Sequence, residues 1–365
     1  MKSWSLPVGK FFGIQVYIHW TFWILIIWIF LMHLGMGEGF GQGLRGALFV
    51  LALFACVVLH EFGHALTAKR FGVVTRDITL YPIGGISSFE SMPEKPAHEL
   101  LISLAGPAVN IIIASILWLY LRSSGSIPDL AAMNDAQLAH LPFLFSLFLA
   151  NMILAIFNLI PAFPMDGGRV FRAVLGFAMN KTTATRIAAA LGQFLAIIFV
   201  FLGFFYNFWL VFIGLFIYLG AAGESAFERT KAALAGLTVK DALMRRFTVL
   251  KPDAALSEAV DALLNSQESE FVVADEGKPV GLLTRNEIVK GLHEKGKEAT
   301  VSEFMKTDFF IVHRETRLHE FFQQVLEKGQ SVALVMDGDL FVGLIDRENV
   351  EEKLMIQAAL ASQNG

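Results

Sequence analysis

The sequence predicts an α-helical polytopic membrane protein with six transmembrane helices, followed by a C-terminal α+β module made of two copies of one unit. Three observations lead there. Of 365 residues, 55% are hydrophobic and 17% charged, a balance of membrane proteins rather than soluble ones. The apolar residues gather into runs of about 20, the length that crosses a hydrocarbon core, and these runs stop near residue 222. From 237 to 356 the chain repeats itself, and units this short bury a core only by packing on each other.

Composition also excludes. A formal net charge of −4 gives no electrostatic footing for nucleic acid. The single cysteine, Cys56, rules out an internal disulfide. It lies one turn before His60 and reads either as an approach to a metal or as a small buried apolar residue. Lys2 and Lys10 stand well before the first apolar run, and no small-residue cleavage site follows that run. It therefore reads as a retained span rather than a cleavable signal.

Residues 16–34 form the first expected span, with His19 as an interfacial cap at its start. Residues 46–68 form the second and carry His60-Glu61-Phe62-Gly63-His64. On a helix, His60 and His64 lie one above the other and can take two corners of a tetrahedral zinc site. Glu61, one position on, is placed to take a proton from a water activated by the ion. The bland reading is a chance pattern. Each ionisable group at membrane depth costs roughly 2.5–3.5 kcal/mol, so three within five residues point to a metal site.

Residues 72–92 are not helical. Tyr81-Pro-Ile-Gly84-Gly85-Ile-Ser-Ser reads as a strand or hairpin beside the site, whose edge can hold an extended peptide by main-chain hydrogen bonds; a plain loop is the other reading. The third span, 98–121, holds Ala105-Gly106-Pro107, small residues that let helices approach closely. Asn110 is expected to hydrogen-bond a neighbouring helix. Residues 122–141 read as a polar outer loop. The fourth span, 142–160, breaks at Asn158-Leu-Ile-Pro161-Ala-Phe-Pro164-Met-Asp166-Gly-Gly. Irregular backbone at membrane depth is tolerated only where it lines a cavity or is buried in protein. Asp166 is thus the candidate third ligand, against the alternative of a helix cap. Asn158 reads either as a donor to a substrate carbonyl or developing oxyanion or as a pin for the broken helix. Residues 185–222 hold the fifth and sixth spans, turning at 203–207.

An even number of spans puts both ends on one side. Lys69, Arg70, Arg76, Lys95, Arg169, Arg172, Lys181 and Arg186 fall on that side, with Lys2 and Lys10, against Arg45 and Arg122 on the other. The positive-inside rule makes that side cytoplasmic, which brings His60, His64 and Asp166 to the same depth. Residues 223–236 read as a charged linker helix. In the repeat, the 271–284 stretch pairs with 332–346, and each unit reads as strand, helix, strand, turn, strand, helix. The two units are expected at 237–296 and 297–357, with a frayed tail at 358–365.

His60-Glu61-x-x-His64 in one span, with Asn158 and Asp166-Gly-Gly closing a later one, resembles the site-2 protease family of intramembrane zinc metalloproteases over residues 1–222. The resemblance implies one zinc ion held by His60, His64 and Asp166, with Glu61 as catalytic base. It places Asn158 near the substrate and Gly84 and Gly85 in a membrane-associated strand segment. The implied activity is hydrolysis of peptide bonds within or near transmembrane segments. The implied substrates are single-span or other membrane proteins in the bilayer of the cytoplasmic membrane. Residues 237–356 resemble a tandem pair of CBS domains, which implies an adenine nucleotide in the cleft between repeats. Against that family's Gly-h-h-Ser/Thr-x-x-Asp pattern, the first copy has Thr284 and Glu287 after Gly281. The second copy, with Asp346 and Asn349 after Gly343, lacks both hydroxyl and acid. A second copy of the chain is a candidate partner through this pair. The alternative from another class is a CBS-regulated membrane transporter with an intramembrane metal site, which has no need of Glu61 beside the first histidine.

Overall fold

The computed structural model describes residues 4–89, 93, 95–129, 141–266, 268–328 and 332–363. They form two units, Met1–Glu228 and Arg229–Gly365.

The first unit combines helices with a four-stranded sheet. Its helices are α1 (Trp20–Gly35), α2 (Gly39–Arg70), α3 (Pro96–Ser123), α4 (Phe143–Asn158), α5 (Asp166–Gly176), α6 (Lys181–Phe205) and α7 (Trp209–Ala233). Of these, α2, α3, α6 and α7 are long and apolar enough to cross a membrane; α1 and α4 are apolar but span 16 residues each. The first helix starts later than its composition suggests because residues 16–19 belong to a strand. His19 then caps it, accepting from the Thr21 backbone N–H at 3.4 Å. The second helix starts at Gly39, a full two turns before residue 46. Of the expected outer loop, residues 130–140 lie outside the described residues.

The strands are β1 (Ser5–Phe11), β2 (Ile14–His19), β3 (Thr75–Tyr81) and β4 (Gly84–Phe89), in the order β1-β2-β3-β4. β1 and β2 form a hairpin through Phe12 and Gly13, both at positive φ (53° and 91°), which suits the twist of a two-residue connection. β2 pairs with β3 in parallel, and β4 returns antiparallel on β3. β4 is thus an edge strand of the sheet. One sheet face, through Ile14, Val16 and Ile78, packs on Phe62 and Ala65 of α2. Burying these apolar side chains, at about 1.5–3 kcal/mol for each large one, clamps the sheet against the turn that carries Glu61.

Between α4 and α5 the chain turns sharply through Leu159–Met165, with a cis peptide at Phe163–Pro164. The loop folds back onto the first turn of α5. A β-carbon at Gly167 would lie 2.2 Å from the Ile160 carbonyl oxygen, and one at Gly168 2.6 Å from the Phe163 nitrogen. Only glycines allow this approach, and it fixes Asp166, the first residue of α5. Two turns on stands Arg172, counted from sequence among the basic residues of the cytoplasmic side. Its guanidinium is buried and paired with Glu99 of α3 (2.5 Å) and Glu224 of α7 (2.5 Å), over the Phe163 ring. These pairs tie α3, α5 and α7 together.

The second unit repeats one pattern twice: β5 (Val249–Leu250), α8 (Leu256–Asn265), β6 (Glu270–Asp275), β7 (Lys278–Thr284), α9 (Arg285–Glu294); then β8 (Phe310–His313), α10 (Leu318–Lys328), β9 (Val332–Asp337), β10 (Leu340–Asp346), α11 (Arg347–Gln363). Each copy is a three-stranded sheet, β5-β6-β7 or β10-β9-β8. The copies bury Val272, Leu282, Val332, Leu334 and Leu344 against each other. The lead-in segments are exchanged. Met244 pairs with Leu344 of the second copy, and Lys306 with Leu282 of the first, so neither copy is complete within the 237–296 or 297–357 stretch alone. The final helix runs on through residues 358–363, where a frayed tail was expected.

Candidate active site

His60 and His64 project from the C-terminal half of α2, where the helix is buried between α3 and the sheet. Asp166 reaches them from the start of α5. The three side chains are buried and meet in a near-equilateral triangle. His60 Nε2 and His64 Nε2 are 3.1 Å apart, and Asp166 Oδ2 lies 3.2 Å from the first and 3.1 Å from the second. Among the described residues this is the only cluster of three or more His, Cys, Asp or Glu groups so disposed. Cys56 is buried and stands outside it.

The triangle fits a zinc ion. Bonds of about 2.0–2.1 Å in tetrahedral geometry separate ligand atoms by about 3.3 Å, close to the spacing found. The donor set, two imidazoles and one carboxylate, is one that zinc takes. The His64 orientation is fixed from behind. Its Nδ1 lies 2.7 Å from the Ile102 carbonyl oxygen of α3. A carbonyl only accepts, so Nδ1 carries the proton and Nε2 keeps its lone pair. His60 Nδ1 lies 2.6 Å from Asn110 Oδ1. The expectation that Asn110 would bond a neighbouring helix is met twice over, since its amide also donates to Asn151 of α4.

Glu61 packs against β4. The Ser87 hydroxyl donates to Glu61 Oε2. A β-carbon at Gly85 would lie 2.7 Å from Glu61 Cγ. Gly85 and Ser87 alternate with Ile86, so both face α2, and the Glu61 side chain is held against the main chain of the edge strand. Gly84, at φ 139°, has open space around its α-carbon. Asn158 closes α4, half-buried, and is not among the groups hydrogen-bonded to the ligands or to Glu61. Ser87 was not singled out from sequence, although the period of two counted from Gly85 puts it on the same face. Asn151 was missed too; it sits in a uniformly apolar run, with only its spacing from Leu147 and Ala155 to mark the buried side.

In the second unit, Thr284 and Glu287 come together at the start of α9. The Thr284 hydroxyl donates to Glu287, and Lys306 pairs with it at 2.8 Å. Burial pushes the Glu287 carboxyl up, but Lys306 and Thr284 outweigh this and hold it below its ordinary value. At the corresponding place in the second copy, Asp346 Oδ1 accepts from the Asn349 backbone N–H at 2.7 Å, and Asn349 Oδ1 accepts from that of Asp346 at 3.3 Å.

Comparison with known proteins agrees with both halves. Residues 48–202 match peptidase family M50, and residues 239–294 and 301–355 each match the CBS domain. A zinc metalloprotease of Methanocaldococcus jannaschii is 31% identical over 355 residues, covering 97% of each chain. Stage IV sporulation protein FB of Bacillus subtilis is 25% identical over 158 residues, 43% of this chain and 46% of that one. A site-2 protease structure from Methanocaldococcus jannaschii is 38% identical, with a TM-score of 0.44, over 60% of this chain and 95% of the other. Membership of a peptidase family sets aside the transporter alternative. The chain belongs to peptidase family M50, the site-2 protease family of intramembrane zinc metalloproteases, and carries a tandem CBS pair.

Proposed function

We propose that His60, His64 and Asp166 hold the zinc ion, that Glu61 is the general base, and that the substrate is a transmembrane segment laid along β4. The observation that carries this reading is the convergence of three metal-ligand atoms within 3.2 Å of one another beside a glutamate packed on a free strand edge. Zinc, when bound there, acidifies water and polarises a carbonyl. Glu61 takes the proton of the attacking water and delivers it to the departing amine. Ser87 and the main chain at Gly85 hold the carboxylate for that transfer. A helical substrate hides its carbonyls in internal hydrogen bonds, so it must unwind. Pairing with β4 replaces those bonds in extended form. Asn158, at the mouth of the broken segment, serves the substrate side.

The reading extends to topology and regulation. The four long apolar helices α2, α3, α6 and α7, together with the shorter α1 and α4, cross the cytoplasmic membrane, with both termini and the CBS pair in the cytoplasm; the basic residues flanking the ends that carry His60, His64 and Asp166 support this orientation. The CBS pair takes an adenine nucleotide at Thr284 and Glu287 and modulates cleavage, and it offers a surface for a second copy of the chain.

The test compares wild type with Glu61→Gln in detergent, on a panel of single-span substrates, with and without ATP. Turnover is expected to fall about 10²–10⁴-fold while zinc per chain stays unchanged. A variant that cleaves like wild type removes Glu61 from the mechanism, and a wild-type protein without zinc removes the three ligands.

A further inference from the structure

We infer that Asn110 and Asn151 are positioning residues that lock His60 in the tautomer that presents Nε2 to the metal. The inference rests on the zinc reading above. Histidine can carry its neutral proton on either ring nitrogen, and only the unprotonated one binds metal. For His64 a backbone carbonyl settles the choice. His60 faces a side-chain amide instead, and an amide can present either a carbonyl oxygen or an NH₂ group. Turned one way, Asn110 accepts from Nδ1–H and leaves Nε2 bare. Turned the other way, it donates to Nδ1, moves the proton to Nε2 and closes the metal position.

The structure fixes the direction from a distant anchor. Asn151 Nδ2 lies 2.8 Å from the Leu147 carbonyl oxygen, one turn back on α4. That oxygen only accepts, so Asn151 must give it the NH₂ end. Its Oδ1 is then left facing Asn110, whose Nδ2 lies 2.9 Å away. Asn110 must therefore turn its own oxygen to His60 Nδ1, at 2.6 Å. One backbone carbonyl on α4 thus sets the proton position on a ligand of α2, through two amides on α4 and α3. Asn151 and Asn110 are 0% and 1% exposed, so bulk solvent does not reach either amide. Packing alone does not call for two amides here, since a buried amide without partners is costly and an apolar pair would fill the space.

The test uses the full-length chain in detergent, stripped of metal, and titrates Zn²⁺ against a competing chelator, with Co²⁺ absorption as a report on ligand geometry. Asn110→Leu and Asn151→Leu are expected to weaken zinc binding about 10–100-fold and to dim the tetrahedral Co²⁺ bands. Asn110→Asp accepts from Nδ1–H whichever way it turns, so combined with Asn151→Leu, which removes the facing amide oxygen, it is expected to stay within about three-fold of wild type. Wild-type affinity in Asn151→Leu, or failure of Asn110→Asp to rescue it, overturns the relay. Should Asn151→Leu not fold, equal affinities for Asn110→Leu and Asn110→Asp overturn it as well. A wild-type chain that binds no Zn²⁺ overturns the site reading itself, a different result from variants that bind as well as wild type.

Discussion

Replacing Gly106 by alanine should empty the metal site while leaving the helices intact. α3 passes its backbone directly across the two histidines. A β-carbon at position 106 would lie 2.2 Å from His64 Nε2, 2.5 Å from its Cε1 and 2.7 Å from His60 Nε2. Ordinary contact begins near 3.4 Å, so the His64 ring or the α3 backbone must retreat by about 1.2 Å. Metal–ligand distances tolerate about 0.2 Å. The intrusion is several times larger and strikes two of the proposed ligands at once. The helix itself gains, since alanine is favoured over glycine by about 1 kcal/mol in a helix interior. Zinc affinity is expected to fall by more than about 100-fold, beyond what a lost supporting hydrogen bond does. Helix content should be retained, while the forced shift of a buried ring, at about 1–3 kcal/mol, offsets the helical gain. The assay is zinc per chain after purification, chelator competition and far-ultraviolet circular dichroism. Stoichiometric zinc at wild-type affinity would show that α3 does not cross the ligands as described.

Three further outcomes follow from the same geometry. Gly85→Ala places a methyl 2.7 Å from Glu61 Cγ and should lower turnover at least about ten-fold with zinc content unchanged, read by cleavage and metal analysis of the same preparation. Arg172→Met strands Glu99 in the interior. Breaking such a buried pair costs about 3–5 kcal/mol, and thermal unfolding in detergent should drop by on the order of 10 °C. In the CBS pair, burial, aided by Glu348 and Glu352, pushes the Asp346 carboxyl above its usual 3.8. The folded state then holds that proton to higher pH than the unfolded chain. Its contribution to stability is complete below about pH 4 and is lost as pH rises through the raised value. Asp346→Asn keeps the cap acceptor and should raise the melting temperature of this unit at neutral pH, with the advantage shrinking toward pH 4; an equal gain at both would refute the burial argument.

The three side chains that converge in the candidate site were legible in the sequence because each broke a local rule. His60 and His64 put polar groups one turn apart in an apolar run, and Asp166 sat on backbone too irregular for an ordinary span. The strand at 84–89, in a hairpin with β3, was one of two readings its glycines and β-branched neighbours offered, a plain loop being the other. The strand at 14–19 was not. Ile14 and Val16 alternate inward correctly, but the apolar run continues without a break into Trp20, and the partner, β3, lies about sixty residues on. Hydropathy records that a segment is apolar and does not record its rotation. For that reason Asn151 passed unnoticed, and Asn110 was given a neighbour without its identity. The CBS repeats were legible from spacing, yet the exchange of Met244 and Lys306 between copies depends on pairing that neither repeat encodes alone.

The proposed ligands are divided across the chain, with His60 and Asp166 brought together from 106 positions apart. During synthesis at about 5–20 residues per second, the histidines and Glu61 wait roughly 5–20 seconds for the carboxylate to emerge. Within that interval Asn110 and Asn151 have already appeared, so supporting partners arrive before the last ligand. A nascent or truncated chain ending before Asp166 has the base and two donors but no closed site. On the zinc reading, hydrolytic competence waits for the completion of α4 and the turn beyond it, and a chain truncated before Asp166 is expected to hold no zinc and to cleave nothing.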